Sequence, residues 1–213
     1  MTHPDVLPLR ERKKLRTRRT LIDTALELFT ERGFGGVTLD ELCDTVEVSK
    51  RTFFRYFAGK EDVAMAPTQD LWLAFLDDLE TREADGRPVP ELLRDCLLAA
   101  LDAMPAEGWA HRVLLSRRLA ERTPSMDAHG LHFCHEASRT ALATLHRRFD
   151  VGAPGDPRPR LAVDMLIAAF HCALDTWTAR PGAPTRAQLA ADLGEACAAL
   201  PASLALTAAP RPA

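Results

Sequence analysis

Nine consecutive residues, Ser49, Lys50, Arg51, Thr52, Phe53, Phe54, Arg55, Tyr56 and Phe57, combine groups that read nucleic acid with groups that anchor a helix. Wound as a helix with Arg51 at the origin, the chain places Arg55 at about 40°, Thr52 at about 100° and Tyr56 at about 140°. Phe53, Phe57 and Phe54 fall at about 200°, 240° and 300° on the same wheel. One side carries two guanidiniums, a hydroxyl and a phenol, which suit base edges and phosphates. The other is a wall of three phenyl rings, expected to seat a short helix in a core. The pattern is that of a helix laid into DNA.

The elements before it must hold it in place. Leu21, Ile22, Ala25, Leu26 and Phe29 recur at three- and four-residue steps, predicting a helix over 13–32 that Gly33 ends. Thr38-Leu39-Asp40-Glu41 is a capping box, and Leu39, Leu42, Cys43 and Val46 form the inward face of a short helix after it. Ser49 then stands as the next N-cap, three residues beyond Val46. Two short helices around a three-residue turn, the second with a basic outer face, make a helix-turn-helix. The alternative is a helical hairpin of some unrelated bundle.

Composition agrees in its distribution rather than its total. The 213 residues carry a formal net charge of −3, yet residues 1–60 are net +3 and the rest net −6. Arg10, Arg12, Lys13, Lys14, Arg16, Arg18 and Arg19 crowd into ten positions, where they could neutralise phosphates. Five dispersed cysteines without a CxxC argue against a disulfide framework or a thiolate zinc site. No run approaches eighteen apolar residues and the opening residues lack the apolar stretch of a secretory signal. A cytoplasmic, nucleoid-associated protein with no membrane contact is the expectation.

The stretch from Ile22 to Val63 resembles the DNA-binding domain of TetR-family transcriptional regulators. The resemblance is carried by Ile22-x-x-Ala25-x-x-Leu28-Phe29, Arg32-Gly33-Phe34, Thr38-x-x-Glu41-Leu42, Val48-Ser49-Lys50-x-Thr52-Phe53-Phe54-Arg55-Tyr56-Phe57 and Lys60-Glu61-Asp62. It implies that Lys50, Arg51, Thr52 and Arg55 face bases or nearby phosphates, and that Tyr56 and Lys60 touch the backbone. Thr38 and Ser49 at the two N-caps and Arg16, Arg18 and Arg19 of the basic run complete the expected DNA-facing set. Two positions depart from the family pattern. Phe54 stands where the family most often has Tyr, removing a phenol–phosphate hydrogen bond. Glu47 stands at the usual turn glycine, which puts a left-handed backbone there in doubt.

Beyond Lys60 the chain reads as helices throughout, about nine in all, with no strand candidate. A helix over 60–83 is interrupted by Pro67, a candidate hinge. Further helices are expected around Leu92–Leu101, around Trp109–Leu119, and over 125–150, 160–179 and 185–204. The 160–179 helix is apolar around most of its circumference. Its Ala162, Ala168, Ala169 and Ala173 would allow close approach of another helix, and the resemblance implies a homodimer through the last two helices. Trp72, Phe75, Met104, Trp109, Phe133, Met165, Phe170 and Trp177 are candidates to line a small-molecule pocket. His129, His132 and His135 share one helix face. His132 with Glu136, and His171 as a third ligand, could hold a metal, but none is assigned, and no cofactor is expected.

The expected layout is therefore all-α. A flexible arm (1–9) precedes a helix-turn-helix domain (10–62), a ligand-binding and dimerisation domain (63–205) and a disordered tail (206–213). No glycine-rich phosphate loop, GxSxG, HExxH or paired-acid motif supports an enzyme. The expected function is a repressor released from a palindromic operator by a small molecule. The alternative is an all-α small-molecule or metal binder with only non-specific DNA affinity.

Overall fold

A computed structural model describes residues 8–208. Among these are nine α-helices and no strand: α1 (Leu9–Arg32), α2 (Leu39–Thr45), α3 (Lys50–Phe53), α4 (Lys60–Thr81), α5 (Val89–Ala103), α6 (Trp109–Ala120), α7 (Pro124–Arg148), α8 (Pro157–Ala179) and α9 (Arg186–Ser203). A short 3-10 turn, Phe34–Gly36, lies between α1 and α2. The described residues fold into two compact units, one within 8–70 and 111–133 and the other within 71–110 and 134–208. The second crossing brings α6 and the start of α7 into the first unit, which a single cut near residue 62 does not anticipate.

The first unit closes around Leu21, Ile22, Ala25, Leu26 and Phe29 of α1, Leu42 and Cys43 of α2, Phe53, Phe57, and Val63, Ala64 and Ala66 of α4. Met126 of α7 joins this core. Helix α1 begins at Leu9 behind Pro8, four residues before the expected start at 13, so the whole basic run is helical. Residues 1–7 of the expected arm and 209–213 of the expected tail lie outside the described residues. Helix α4 runs unbroken through Pro67, correcting the expected interruption. Gly130 of α7 lets α4 come close, since a Cβ there would stand 3.1 Å from Met65 Cε.

In the second unit, α8 packs most extensively on α9 and also on α5. Helix α8 starts at Pro157, earlier than expected, because Asp156 caps it and proline suits a first turn. Thr185 opens α9 with a capping box to Gln188. Ala162, Ala169 and Ala173 are buried inside this unit, so the small residues serve α8's own neighbours; only Ala168 of that set faces outward. By length and composition alone α8 could cross a bilayer, with a mean hydropathy of 1.2 over eighteen residues. The same composition belongs to a core helix, and its inward stripe through Val163, Leu166, Phe170 and Trp177 is buried here. Arg148 at the end of α7 donates to the carbonyls of Leu79 and Arg82, satisfying the C-terminus of α4.

Candidate nucleic-acid interface

Two caps and one strained residue hold α3. Thr38 Oγ1 accepts the Glu41 amide at 3.2 Å, and Glu41 Oε2 accepts the Thr38 amide at 2.7 Å. That backbone hydrogen bond, with the Arg32 guanidinium at 2.7 Å, draws the Glu41 pKa down to about 2. The Thr38 hydroxyl is thereby committed to the cap rather than offered outward. Helix α2 ends in a Schellman motif: the Val48 amide donates to Cys43 O at 2.9 Å and the Glu47 amide to Asp44 O at 3.1 Å. The position that glycine usually fills is Glu47, at φ 55°. The left-handed conformation therefore persists without glycine, correcting the sequence expectation, at a cost of about 1–2 kcal/mol.

Ser49 caps α3 by accepting the Thr52 amide at 3.1 Å, and its hydroxyl also meets Thr52 Oγ1 at 3.0 Å. Regular α-helix lasts one turn, Lys50–Phe53. The amides of Arg55 and Tyr56 then donate three residues back, to Thr52 and Phe53, tightening the chain until Phe57 returns to Phe53 O at 3.0 Å. This short element turns only two of its three phenylalanines inward. Phe53 and Phe57 are buried with ring centroids 5.6 Å apart, whereas Phe54 is 55% exposed. The expected triple-phenyl anchor is a double one, because Phe54, one residue beyond Phe53, stands about 100° round the helix from it, on the rim of the buried face. Its ring stands edge-on to Phe53 at 5.5 Å.

Lys50, Arg51 and Arg55 are exposed, and Thr52 and Tyr56 half-buried. Lys50 Nζ sits 2.7 Å from Asp40 Oδ1, a hydrogen bond that raises the lysine pKa. The Arg55 guanidinium lies over the Tyr56 ring at 5.2 Å. These two side chains share a cleft of about 780 Å³ with Leu9, Arg10, Glu11, Lys13, Lys14 and Thr17 of α1. Arg10, Lys13 and Lys14 thus bring three cations to Arg55, a surface suited to successive phosphates. Their spacing of three and four residues was visible in the sequence and is a better guide than the density of the basic run.

Other expected contacts are used inside the unit. Arg18 makes a paired hydrogen bond to Asp70 at 2.7 and 2.8 Å and lies over Phe57 at 5.2 Å. Arg19 is 3.7 Å from Asp23, and Arg16 is exposed. Lys60 Nζ donates to the carbonyls of Phe34 at 2.7 Å and Val37 at 2.6 Å, and lies 4.6 Å from the Phe34 ring centre. Lys60 is therefore a clamp on the loop before α2. Acceptors more than twenty residues away gave no sign of this in the sequence.

Most of the eight side chains expected to line a pocket are core. Trp72 meets Phe75 at 5.4 Å and Phe170 at 5.3 Å, both edge-to-face. Trp177 is buried and donates from Nε1 to Thr185 O at 2.9 Å. Met104 and Trp109 are buried, and Phe133, in the first unit, is half-buried. Of the eight, only Met165 lines either of two adjoining cavities in the second unit. One, of about 490 Å³, is bounded by Val89, Asp150, Val151, Arg158 and Leu161. The other, of about 430 Å³, is bounded by Glu91, Arg94, Leu166, Cys197 and Leu204. Pro90, Ala162 and Met165 belong to both.

His129 lies 3.1 Å from Gln69 Nε2 and 3.6 Å from Asp62. Glu136 pairs with Arg139 and His135, and His132 and His171 are exposed. Among the described residues no three His, Cys, Asp or Glu side chains converge as metal ligands.

Residues 21–66 match the family model of bacterial regulatory proteins of the tetR family. TcmR of Streptomyces glaucescens, an HTH-type transcriptional regulator, is 35% identical over 182 residues, 81% of this chain and 77% of TcmR. A transcriptional regulator of Aquifex aeolicus superposes with a TM-score of 0.52 at 16% identity, covering 86% of this chain and 99% of its own. SmeT, the repressor of the Stenotrophomonas maltophilia efflux pump SmeDEF, does so with 0.50 at 22% identity, covering 85% and 89%. With a relative of this identity across most of its length and a reading face of this chemistry, the chain belongs to the TetR family and is a DNA-binding transcriptional regulator.

Proposed function

We propose that this regulator is a repressor that binds a palindromic operator as a homodimer and leaves it when a small, mainly apolar molecule occupies the second unit. The observation that carries the reading is the exposed Lys50–Arg51–Arg55 face beside the cleft of Arg10, Lys13 and Lys14. Base edges suit the first and phosphates the second. Repression is supported by the description of SmeT as a repressor, and an effector by the existence of a SmeT–triclosan complex. The two adjoining cavities, apolar but for Asp150, Arg158, Glu91 and Arg94, are the better place for it than the aromatic cluster.

Ala168 and Cys172 of α8 and Ala187 and Ala191 of α9 face outward. These side chains are mostly small, and a second copy can pack its own α8 and α9 closely against them. The dimer would act in the cytoplasm, on nucleoid DNA.

Selection of bound fragments from random duplexes tests the reading. A palindrome of about 15–20 base pairs is the expected product. No enriched motif would instead favour an all-α binder with non-specific DNA affinity. Sedimentation of Ala168→Glu tests the interface: a monomer with reduced affinity for the palindrome is expected, and an unchanged dimer places the interface elsewhere.

A further inference from the structure

Phe54 is the only exposed aromatic side chain among the described residues, and it sits inside the cationic face of α3. On the wheel it lies at about 300°, between Lys50 at about 260° and Arg51 at 0°, and Arg55, the next residue in the chain, is exposed as well. Thr52 and Tyr56 are half-buried. A phenyl ring thus lies between Lys50 and Arg51 on the exposed face, with Arg55 next to it in the chain.

The ring is also held. Phe53 is fully buried, and its edge-to-face contact with Phe54 at 87° fixes the outer ring against the core. The Phe54 backbone keeps helical angles and donates to Lys50 O at 2.9 Å. A ring flanked by three cations is carried to DNA with them, yet it can neither donate nor accept a hydrogen bond. In the major groove the apolar feature that distinguishes one base pair from another is the C5-methyl of thymine.

We infer that Phe54 is a specificity-determining residue that packs on a thymine methyl in each half-site. The inference rests on the operator reading above. Arg51 and Arg55 then supply hydrogen bonds on either side of an apolar contact, and the protein prefers thymine at one position without any hydrogen bond to that base.

The test uses the full chain and the duplex recovered by selection. Each thymine is replaced in turn by deoxyuridine, which removes the methyl and leaves the hydrogen-bonding edge intact. Affinity is measured for the wild type and for Phe54→Ala. One thymine per half-site should lose about fourfold in wild-type affinity, the value of one buried methyl-sized group, and about fifteenfold when both half-sites are changed. The same replacement should have no effect on Phe54→Ala. Deoxyuridine effects equal in both proteins, or absent from all thymines, overturn the inference while the operator reading stands. So does a Phe54→Ala loss that is uniform over all duplexes, since that marks a contact to sugar. Failure to recover any motif sinks both. Because the ring is exposed, Phe54→Ala should melt with the wild type, and matching circular dichroism melts exclude misfolding as the cause of a loss.

Discussion

Aromatic rings gather in both units, and the two gatherings behave differently. Trp72, Phe75 and Phe170 sit on helices of more than twenty residues, and all three rings turn inward, Phe75 and Phe170 each against Trp72. Phe53, Phe54 and Phe57 sit on and beyond a helix of one turn, and one ring is left at the surface. A long helix has a face wide enough to bury every ring spaced along it. A one-turn helix has too little face for three rings in five residues. Aromatic density alone is therefore a poor guide to role: in one place it fills space, in the other it both anchors and displays.

Truncations test this contrast most strongly. Phe53→Ala and Phe170→Ala each remove a fully buried ring and should each cost about 3–5 kcal/mol in urea unfolding. Phe54→Ala should change stability by less than about 0.5 kcal/mol while reducing operator affinity. If Phe54→Ala unfolds the protein like Phe53→Ala, the distinction between anchor and display fails. Next in size, Arg51→Ala should lose about 1–3 kcal/mol of specific binding, with little change on random DNA. An equal loss on every sequence would make Arg51 a phosphate contact.

The supports of α3 give smaller effects. Thr38→Ala should lower stability by about 1 kcal/mol through loss of the cap. Glu41 adds a pH signature. Its folded pKa, near 2, is below the unfolded value of 4.5, so its contribution is present above pH 4.5 and is lost as pH falls toward 2. Glu41→Gln keeps an acceptor for the Thr38 amide but should flatten that part of the stability–pH profile. A profile unchanged from the wild type would show the ionised cap to be unimportant. Smallest, Glu47→Gly should raise the melting temperature slightly, since relief of about 1–2 kcal/mol of left-handed strain exceeds the entropic penalty of glycine, about 0.5–1 kcal/mol.

What could be read from the residues divides along the range of the interactions. The capping box at Thr38, the helix-turn-helix and the Ser49 cap are local, spanning three or four residues, and were legible. Phe54 was misplaced because the three-ring wall was taken to be buried across its whole width, whereas a one-turn helix buries a narrower arc and Phe54 stands about 100° round from the buried Phe53. The intramolecular partners of Arg18 and Lys60 were hidden for another reason. Asp70, Phe34 and Val37 are 23 to 52 residues away, and an arginine bound for phosphate looks the same in sequence as one bound for a carboxylate. The start of α8 was available in Asp156-Pro157, a cap followed by a first-turn proline. The aromatic stripes of the second unit could not separate core from cavity lining, because both require the same side chains.

The single turn of α3 has a genetic consequence. A helix that short does not form alone in water, so Phe53 and Phe57 below it and the caps at its start supply all of its order. Random mutagenesis screened for derepression should therefore recover far more lesions beneath the reading face than on it. Most of the loss-of-function alleles will map to side chains that never approach a base.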